Sequence, residues 1–317
     1  MIDESRINPN LEQLRLHFDS ALGKYFRSGA PIPQYFEATG CYNCGHHEVS
    51  TSFTINRFTH VRCDNCGMVY VNPRLKDSIA HNLYSEDTYA DFFRIKLIPS
   101  IEYRRNVLAV NKFSQIAKYF EQPGKVLDVG SGLGEVLSVF QEKGWDCTGI
   151  ELNEFAAEYA RTTFGLNIVN RTVYDFDSRD KYDVIMLWGV LEHLYEPLQI
   201  LAKVHDLLHD NGVLVLEVPS ADSVLVRYCE ISSREVDRII EGDRHLMLFS
   251  VKSFIEMPGK AGFHPIEIRS NGLDISTLNR LELNNELNLG QVNGLQALLD
   301  RSLQGDLLRG FFRRESS

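Results

Sequence analysis

Nowhere in the 317-residue chain is there an uninterrupted apolar run of the roughly eighteen residues that a membrane-spanning helix needs. The opening stretch MIDESRINPNLEQLRL is polar throughout, so no secretory leader is expected. Positive charge is in deficit: 33 Lys and Arg against 43 Asp and Glu give a formal net charge of −10. That sign argues against a protein that grips nucleic acid by displacing counterions. Around the cysteines Arg57, Arg62, Arg74 and Lys76 outnumber Glu48 and Asp64, which is only a slight local excess. A disulfide framework is also missing. Four of the six cysteines form two close pairs, while Cys147 and Cys229 stand singly in apolar surroundings and read as reduced core thiols. A reducing, cytoplasmic setting is expected.

The pairs are Cys41-x-x-Cys44 and Cys63-x-x-Cys66, with eighteen residues between them. This is the spacing of a four-thiolate zinc knuckle, and Gly45 and Gly67 allow the tight turn after each pair. Four thiolates leave no open coordination position, so the expected role is structural; iron in the same ligand set is the alternative. His46, His47 and His60 are left over and read as surface residues.

Hydrophobic periodicity divides the chain. A helical pattern from Leu11 to Phe26 ends at the Pro31/Pro33 linker, giving an N-terminal part over 1–40. The cysteine module fills 41–74, and an aromatic-rich, mostly helical region fills 75–123. Beyond Pro123-Gly124 strands alternate with helices of ten to fifteen residues: KVLDVG, WDCTGIE, LNIV, YDVIMLW and VLVLEVP are the strands. Such alternation predicts an α/β fold, a doubly wound and mostly parallel sheet, over 124–270. Pro258 is expected to interrupt the helix after the fifth strand, and 271–317 is set apart as a C-terminal extension.

VLDVGSGLGE puts Gly130, Gly132 and Gly134 directly after the first strand and before a helix. Glycines there permit a sharp turn and close approach of backbone to a ligand at helix amides. The dinucleotide fingerprint G-x-G-x-x-G/A fails at its last position, where Glu135 stands. Asp128 precedes the turn, and Glu151 ends the second strand, where a carboxylate can accept both hydroxyls of a ribose.

Asp-x-Gly-x-Gly-x-Gly, the strand-tip Glu151 and Leu-Glu-His-Leu after the fourth strand together resemble a class I S-adenosylmethionine-dependent methyltransferase, over about Lys125 to Arg269. The resemblance implies S-adenosylmethionine as cofactor. Asp128, Gly130, Ser131, Gly132 and Gly134 would surround its methionine portion, and Glu151 its ribose. Leu152, Val173, Tyr174 and Asp175 would lie by the adenine, and Trp188 and Gly189 would line the sulfonium pocket. Core packing is the competing reading for Trp188, and a solvated loop carboxylate for Asp175. His193 and His245 stand at places where this family carries a general base; His245 is preferred, with Asp243 to orient it. A neutral imidazole suits that task near pH 7.

The cysteine module followed by MVYVNPR and LYSEDTY resembles the N-terminal part of the branch that includes zinc-containing sugar methyltransferases. By that resemblance the ribbon and its helical lid shape the acceptor cleft, with Tyr84 and Tyr89 at the substrate. The sugar C-methyltransferases carry a Glu-His pair where this chain has Arg244-His245, so O- or N-methylation is the better expectation. Arg244 would meet a phosphate or carboxylate, or else lie at the surface. A small-molecule acceptor follows, a sugar, nucleotide-sugar or polysaccharide-pathway hydroxyl, with neither membrane nor nucleic acid as partner. Methylation of RNA or protein, with the ribbon for recognition, sugar C-methylation, and a silent cofactor-binding scaffold are the rival readings; the oligomeric state is left open.

Overall fold

The computed structural model describes the chain apart from residues 1–3, 8–9, 84–85, 233, 235, 237 and 315–317, and apart from the side chains of residues 4–5, 11–12, 14–15, 81–83 and 86–88. Tyr84 therefore lies outside the described residues.

Three strands form the N-terminal ribbon: β1 (Val49–Ile55), β2 (Phe58–Cys63) and β3 (Val69–Val71), with β2 in the middle and antiparallel to both others. The central sheet takes β4 (Lys125–Val129), β5 (Asp146–Ile150), β6 (Asn167–Val169), β7 (Tyr182–Trp188) and β8 (Leu208–Pro219). A short β9 (Met247–Leu248) follows, then β10 (Phe263–Asn271) and β11 (Leu307–Arg314). The order across the central sheet is β6-β5-β4-β7-β8-β11-β10. The first five strands are parallel, and β11 runs antiparallel to both its neighbours. The segment after Asn271 is thus no appendage: its last strand inserts between β8 and β10 and completes the sheet.

The helices around the sheet include α1 (Glu135–Glu142), α2 (Glu154–Phe164), α3 (Pro197–Leu207), α4 (Val224–Ser232) and α5 (Val251–Lys260). Local chemistry sets their ends. The Asn153 side chain accepts from the Ala156 amide and caps α2, which stops at Gly165 in the left-handed conformation. Ser250 caps α5 in the same way, and Pro258 is accommodated in its last turn rather than interrupting it.

Helices cover both faces. Leu137, Phe140, Trp145 and Ile116 fill one; Ile200, Leu201, Val204, Phe254 and Met257 fill the other. Each such fully buried side chain contributes about 1.5–3 kcal/mol by leaving water. The second core also takes in Cys41, Cys63, Cys66, Met68 and Tyr70. The ribbon therefore shares a core with the sheet domain instead of hanging beside it. His60, expected at the surface, is fully buried on β2 and stacks on Phe53.

Backbone pairing also joins the ribbon to the loops of the sheet domain. β9 pairs antiparallel with β3, Met247 opposite Tyr70 and Leu248 opposite Val69. The Leu246 carbonyl accepts from the Val71 amide at 3.0 Å, and the Leu246 amide donates to the Glu192 carbonyl at 2.9 Å. A continuous line of backbone bonds thus runs from the ribbon, through the segment carrying His245, to the loop after β7.

Candidate active site

In an open α/β sheet the crevice forms at the carboxyl ends of the strands where the order reverses. Here that point lies between β4 and β7, and a cavity of about 1650 Å³ opens above it. That is more than the roughly 300–1,000 Å³ of a pocket for one small ligand, leaving room for two. Asp128, Gly130, Ser131, Gly132, Glu151, Leu152, Val173, Tyr174, Trp188 and Gly189 all line it, as do Tyr89, Arg244, His193 and His245.

The glycine turn is fixed by its surroundings. Gly130 has φ +71°, and a Cβ there would come within 2.6 Å of Val190 Cγ2. The Gly130 and Ser131 amides both donate to the Ile150 carbonyl, tying the turn to the end of β5. Gly134 plays a different part from the one expected: it does not line the cavity, and its absent side chain makes room for Leu166 and Ala160. Asp175 is also off the cavity wall, exposed and bonded to Thr172 Oγ1.

Two carboxylates face the turn. Glu151 accepts from the Gly132 amide through Oε2 and from the Asn153 amide through Oε1, each at 2.8 Å. A carboxylate has about four acceptor positions, so both oxygens retain capacity toward the cavity. Asp128 is buried, its Oδ1 has no partner among the described residues, and burial pushes its carboxyl well above the usual range. A buried orphan acceptor of this kind is the complement of a cationic donor in the cavity.

Trp188 sits under a charged lattice. Lys112 Nζ lies 3.9 Å above its ring and Arg309 Cζ 5.1 Å from it. Glu217 binds both cations, meeting Lys112 at 3.1 Å and Arg309 Nε at 2.9 Å. Burial would raise the Glu217 carboxyl, but Arg309 and Lys112 overcome this and hold it at about 2.

The two histidines come together with ring centroids 4.9 Å apart. His193 Nδ1 is 2.9 Å from the Arg244 carbonyl, and His245 Nδ1 is 2.6 Å from the Ile239 carbonyl. A carbonyl only accepts, so each Nδ1 carries the proton and each Nε2 is left as a lone pair. Burial lowers both pKa values, that of His193 to about 3. Asp243 is not what orients His245; it lies off the cavity wall and meets Arg244 Nε at 3.3 Å. The ring is held by the Ile239 backbone, and among the described residues the carboxylates nearest its Nε2 are Glu192 and Glu241, each at 3.9 Å. Burial would raise Glu241, but Arg244 and His245 bring it down to about 2. Burial raises Glu192 to about 8.

Glu192 and Glu241 were both missed in the sequence, although one lies inside Leu-Glu-His-Leu and the other four residues before His245. Arg244, expected to face solvent or substrate, is buried between Glu241 at 2.8 Å and the Phe18 ring at 4.1 Å.

The four paired cysteines also converge. Cys41 and Cys66 sulfurs are 3.4 Å apart, Cys44 and Cys63 3.5 Å, and Cys44 and Cys66 3.8 Å. The amides of Asn43 and Cys44 face the Cys41 sulfur, and those of Asn65 and Cys66 face Cys63.

Residues 101–268 match the family described as a methyltransferase domain. Over 101 residues the chain is 37% identical to the ubiquinone biosynthesis O-methyltransferase of Actinobacillus pleuropneumoniae serotype 5b (strain L20), a match covering 28% of this chain and 43% of that protein. The chain thus spans less than half the length of this curated relative. Among solved structures it resembles the Burkholderia thailandensis 1,6-didemethyltoxoflavin-N1-methyltransferase with bound 1,6-didemethyltoxoflavin and S-adenosylhomocysteine. That likeness has a TM-score of 0.52 at 14% identity, over 84% of this chain and all of the other (100%). The plantazolicin methyltransferase BpumL, in complex with a pentazolic desmethylPZN analog and SAH, gives a TM-score of 0.50 at 19% identity, over 75% and 95% of the two chains.

Proposed function

The chain belongs to the methyltransferase-domain family and has the class I S-adenosylmethionine-dependent fold; from that premise we propose that it methylates an oxygen of a small, polar acceptor. A sugar or nucleotide-sugar hydroxyl is the acceptor we favour. The observation that carries this reading is the pairing, in one oversized cavity, of the Asp128–Gly132/Glu151 turn with the two bare His193 and His245 Nε2 lone pairs. The O-methyltransferase named among the relatives supports oxygen over nitrogen.

S-adenosylmethionine supplies a methyl group already activated on a sulfonium, so the protein's part is alignment and exclusion of water. Asp128 would take the cofactor's ammonium group, which restores an ionised carboxylate where burial alone disfavours one. Glu151 would accept from the ribose hydroxyls, with Leu152, Val173 and Tyr174 around the adenine. Trp188 and Gly189 would wall the reacting end. At the acceptor, His245 Nε2 would receive the hydroxyl proton, and the ionised Glu241 beside it would stabilise the imidazolium. Lys96 and Arg104 also line the cavity, and burial pulls Lys96 down to about 8. Desolvated cations in that position suit a phosphate or carboxylate on the acceptor.

The four cysteines would hold a structural zinc ion. Zinc–sulfur bonds of about 2.3 Å place tetrahedral sulfurs roughly 3.8 Å apart, close to the separations seen here. Its work would be to brace β3, and through β3 the His245 segment, with the helical region over 75–123 and Tyr89 closing the acceptor side.

The deciding experiment offers S-adenosylmethionine with nucleotide-sugars, phenolic acceptors and cellular RNA, and reads products by mass spectrometry. Methylated sugar or phenol oxygen is the expected product. Transfer to RNA alone would overturn the small-molecule reading.

A further inference from the structure

Glu192, His193 and His245 each offer one ligand atom within 4.8 Å of the other two. With Glu192 ionised, all three atoms are acceptors. The two Nδ1–H groups are spent on the Arg244 and Ile239 carbonyls, so only Nε2 lone pairs face inward. Glu192 is 2% exposed, and its Oε2 has no partner among the described residues. A lone proton does not reconcile them, because Glu192 Oε1 and His245 Nε2 are 3.9 Å apart, beyond hydrogen-bond reach. That distance instead suits an ion between them, since ligands bonded at about 2.1 Å lie roughly 3–4.2 Å from one another. Backbone carbonyls that hold the far nitrogen of each ligating histidine are the usual support of such a centre.

We propose that Glu192, His193 and His245 form a binding site for a divalent first-row transition-metal ion on the cavity wall, separate from the four cysteines. Two imidazoles and one carboxylate leave coordination positions open, and in this fold those positions face the cavity. Glu241, 3.9 Å from His245 Nε2, flanks the site, its charge shared with Arg244 at 2.8 Å. The ligands come from two segments that the Leu246–Glu192 backbone bond locks together, so the site is preformed. An ion here uses the same Nε2 lone pairs as proton transfer to His245, so the two roles exclude each other at any instant. With the ion bound, an acceptor hydroxyl coordinated to it is acidified and its proton passes to water. Only this use of the open positions rests on the methyl-transfer reading; ion binding stands or falls by itself.

The test titrates the full chain with Mn²⁺ and follows the loss of the free Mn²⁺ electron paramagnetic resonance signal, then adds Co²⁺ as a competitor for the same ligands. Mn²⁺ is chosen because it favours nitrogen and oxygen ligands over thiolates. One site is expected in the native protein, weakened at least about tenfold in each of His193→Ala, His245→Ala and Glu192→Gln. Binding of S-adenosylhomocysteine, measured on the same samples, reports that each variant is folded. Pulsed resonance on the Mn²⁺-loaded native protein should show nitrogen coupling from imidazole, which needs no variant at all. Absence of Mn²⁺ binding at millimolar concentration, absence of nitrogen coupling, or equal affinity in the native protein and the folded variants would overturn the proposal. Failure of the methyl-transfer reading alone would leave Mn²⁺ binding intact while no acceptor is methylated.

Discussion

Replacing Gly134 by alanine separates a packing glycine from a ligand-facing one. Gly134 has φ +81°, and a Cβ built there would lie 2.6 Å from Leu166 Cδ1 and 2.9 Å from Ala160 Cβ. The left-handed conformation costs a non-glycine residue about 1–2 kcal/mol. Forcing an extra methyl between α2 and the start of α1 adds about 1–3 kcal/mol of overpacking. Gly134→Ala should therefore destabilise the protein by about 2–5 kcal/mol. Gly165→Ala is the matched control: its φ is +67°, but nothing lies within 4 Å of its Cβ. It should lose only the conformational part, about 1–2 kcal/mol. Urea unfolding midpoints at constant slope measure the difference. Because Gly134 does not line the cavity, S-adenosylhomocysteine affinity of the folded variant should stay close to native. Equal midpoint shifts for the two variants, or lost ligand affinity without lost stability, would refute the assignment of Gly134 to helix–strand packing.

Other perturbations address the site and its supports. Glu151→Ala should weaken S-adenosylhomocysteine binding by roughly 3 kcal/mol, about a hundredfold, on the scale of hydrogen bonds to a charged group; calorimetry that finds native affinity would remove Glu151 from the ribose. Lys96→Met should raise the KM of an anionic acceptor while cofactor affinity holds, and an unchanged KM would place the anion elsewhere. Arg62 is 5% exposed, pairs with Glu230 at 2.7 Å and donates to the carbonyls of Gly67 and Ala221. Arg62→Met should cost about 3 kcal/mol by urea titration, the low end for a broken buried pair, because Arg227 still meets Glu230; a loss below 1 kcal/mol (about the worth of a surface pair) would show that the ribbon is not anchored there. Asp274 is fully buried, and burial, with Asp306 beside it, raises its carboxyl from 3.8 to about 7. An acid raised in the folded state destabilises the fold as it ionises, so its contribution is fully present below 3.8 and lost as pH rises through about 7. Asp274→Asn should flatten that fall in the urea midpoint between those values; the same slope in both proteins would count against it.

How much of the fold and the site was legible in the sequence depends on the range of the interactions involved. The glycine turn, the strand-tip Glu151 and the cysteine knuckles are written in contiguous residues, because each is a local device: backbone conformation, strand end, thiolate spacing. The parallel strands were legible too, since burial on both faces makes each one an apolar run. Arg309 shows where such reading stops. Leu307–Arg314 contains three arginines, which obscures a central strand, and Arg309 is tolerated there only because Glu217 and Trp188 come from distant strands to meet it. His245 illustrates the same limit at the site. An acid two residues before it looked like its partner, yet the turn from Glu241 to His245, closed by the His245 amide donating to the Glu241 carbonyl at 2.7 Å, points Asp243 at Arg244 and brings Glu241 alongside the ring. The acid four residues back was the better sequence signal, because in a helical turn that spacing shares a face. Glu192 sits inside Leu-Glu-His-Leu, but nothing local says what it meets: it faces His245 because Leu246 ties its backbone to a strand of the ribbon. By the same route, through β3, β9 and Leu246, a change at the cysteines should reach the His245 segment, where the acceptor is proposed to sit, before it reaches the glycine turn.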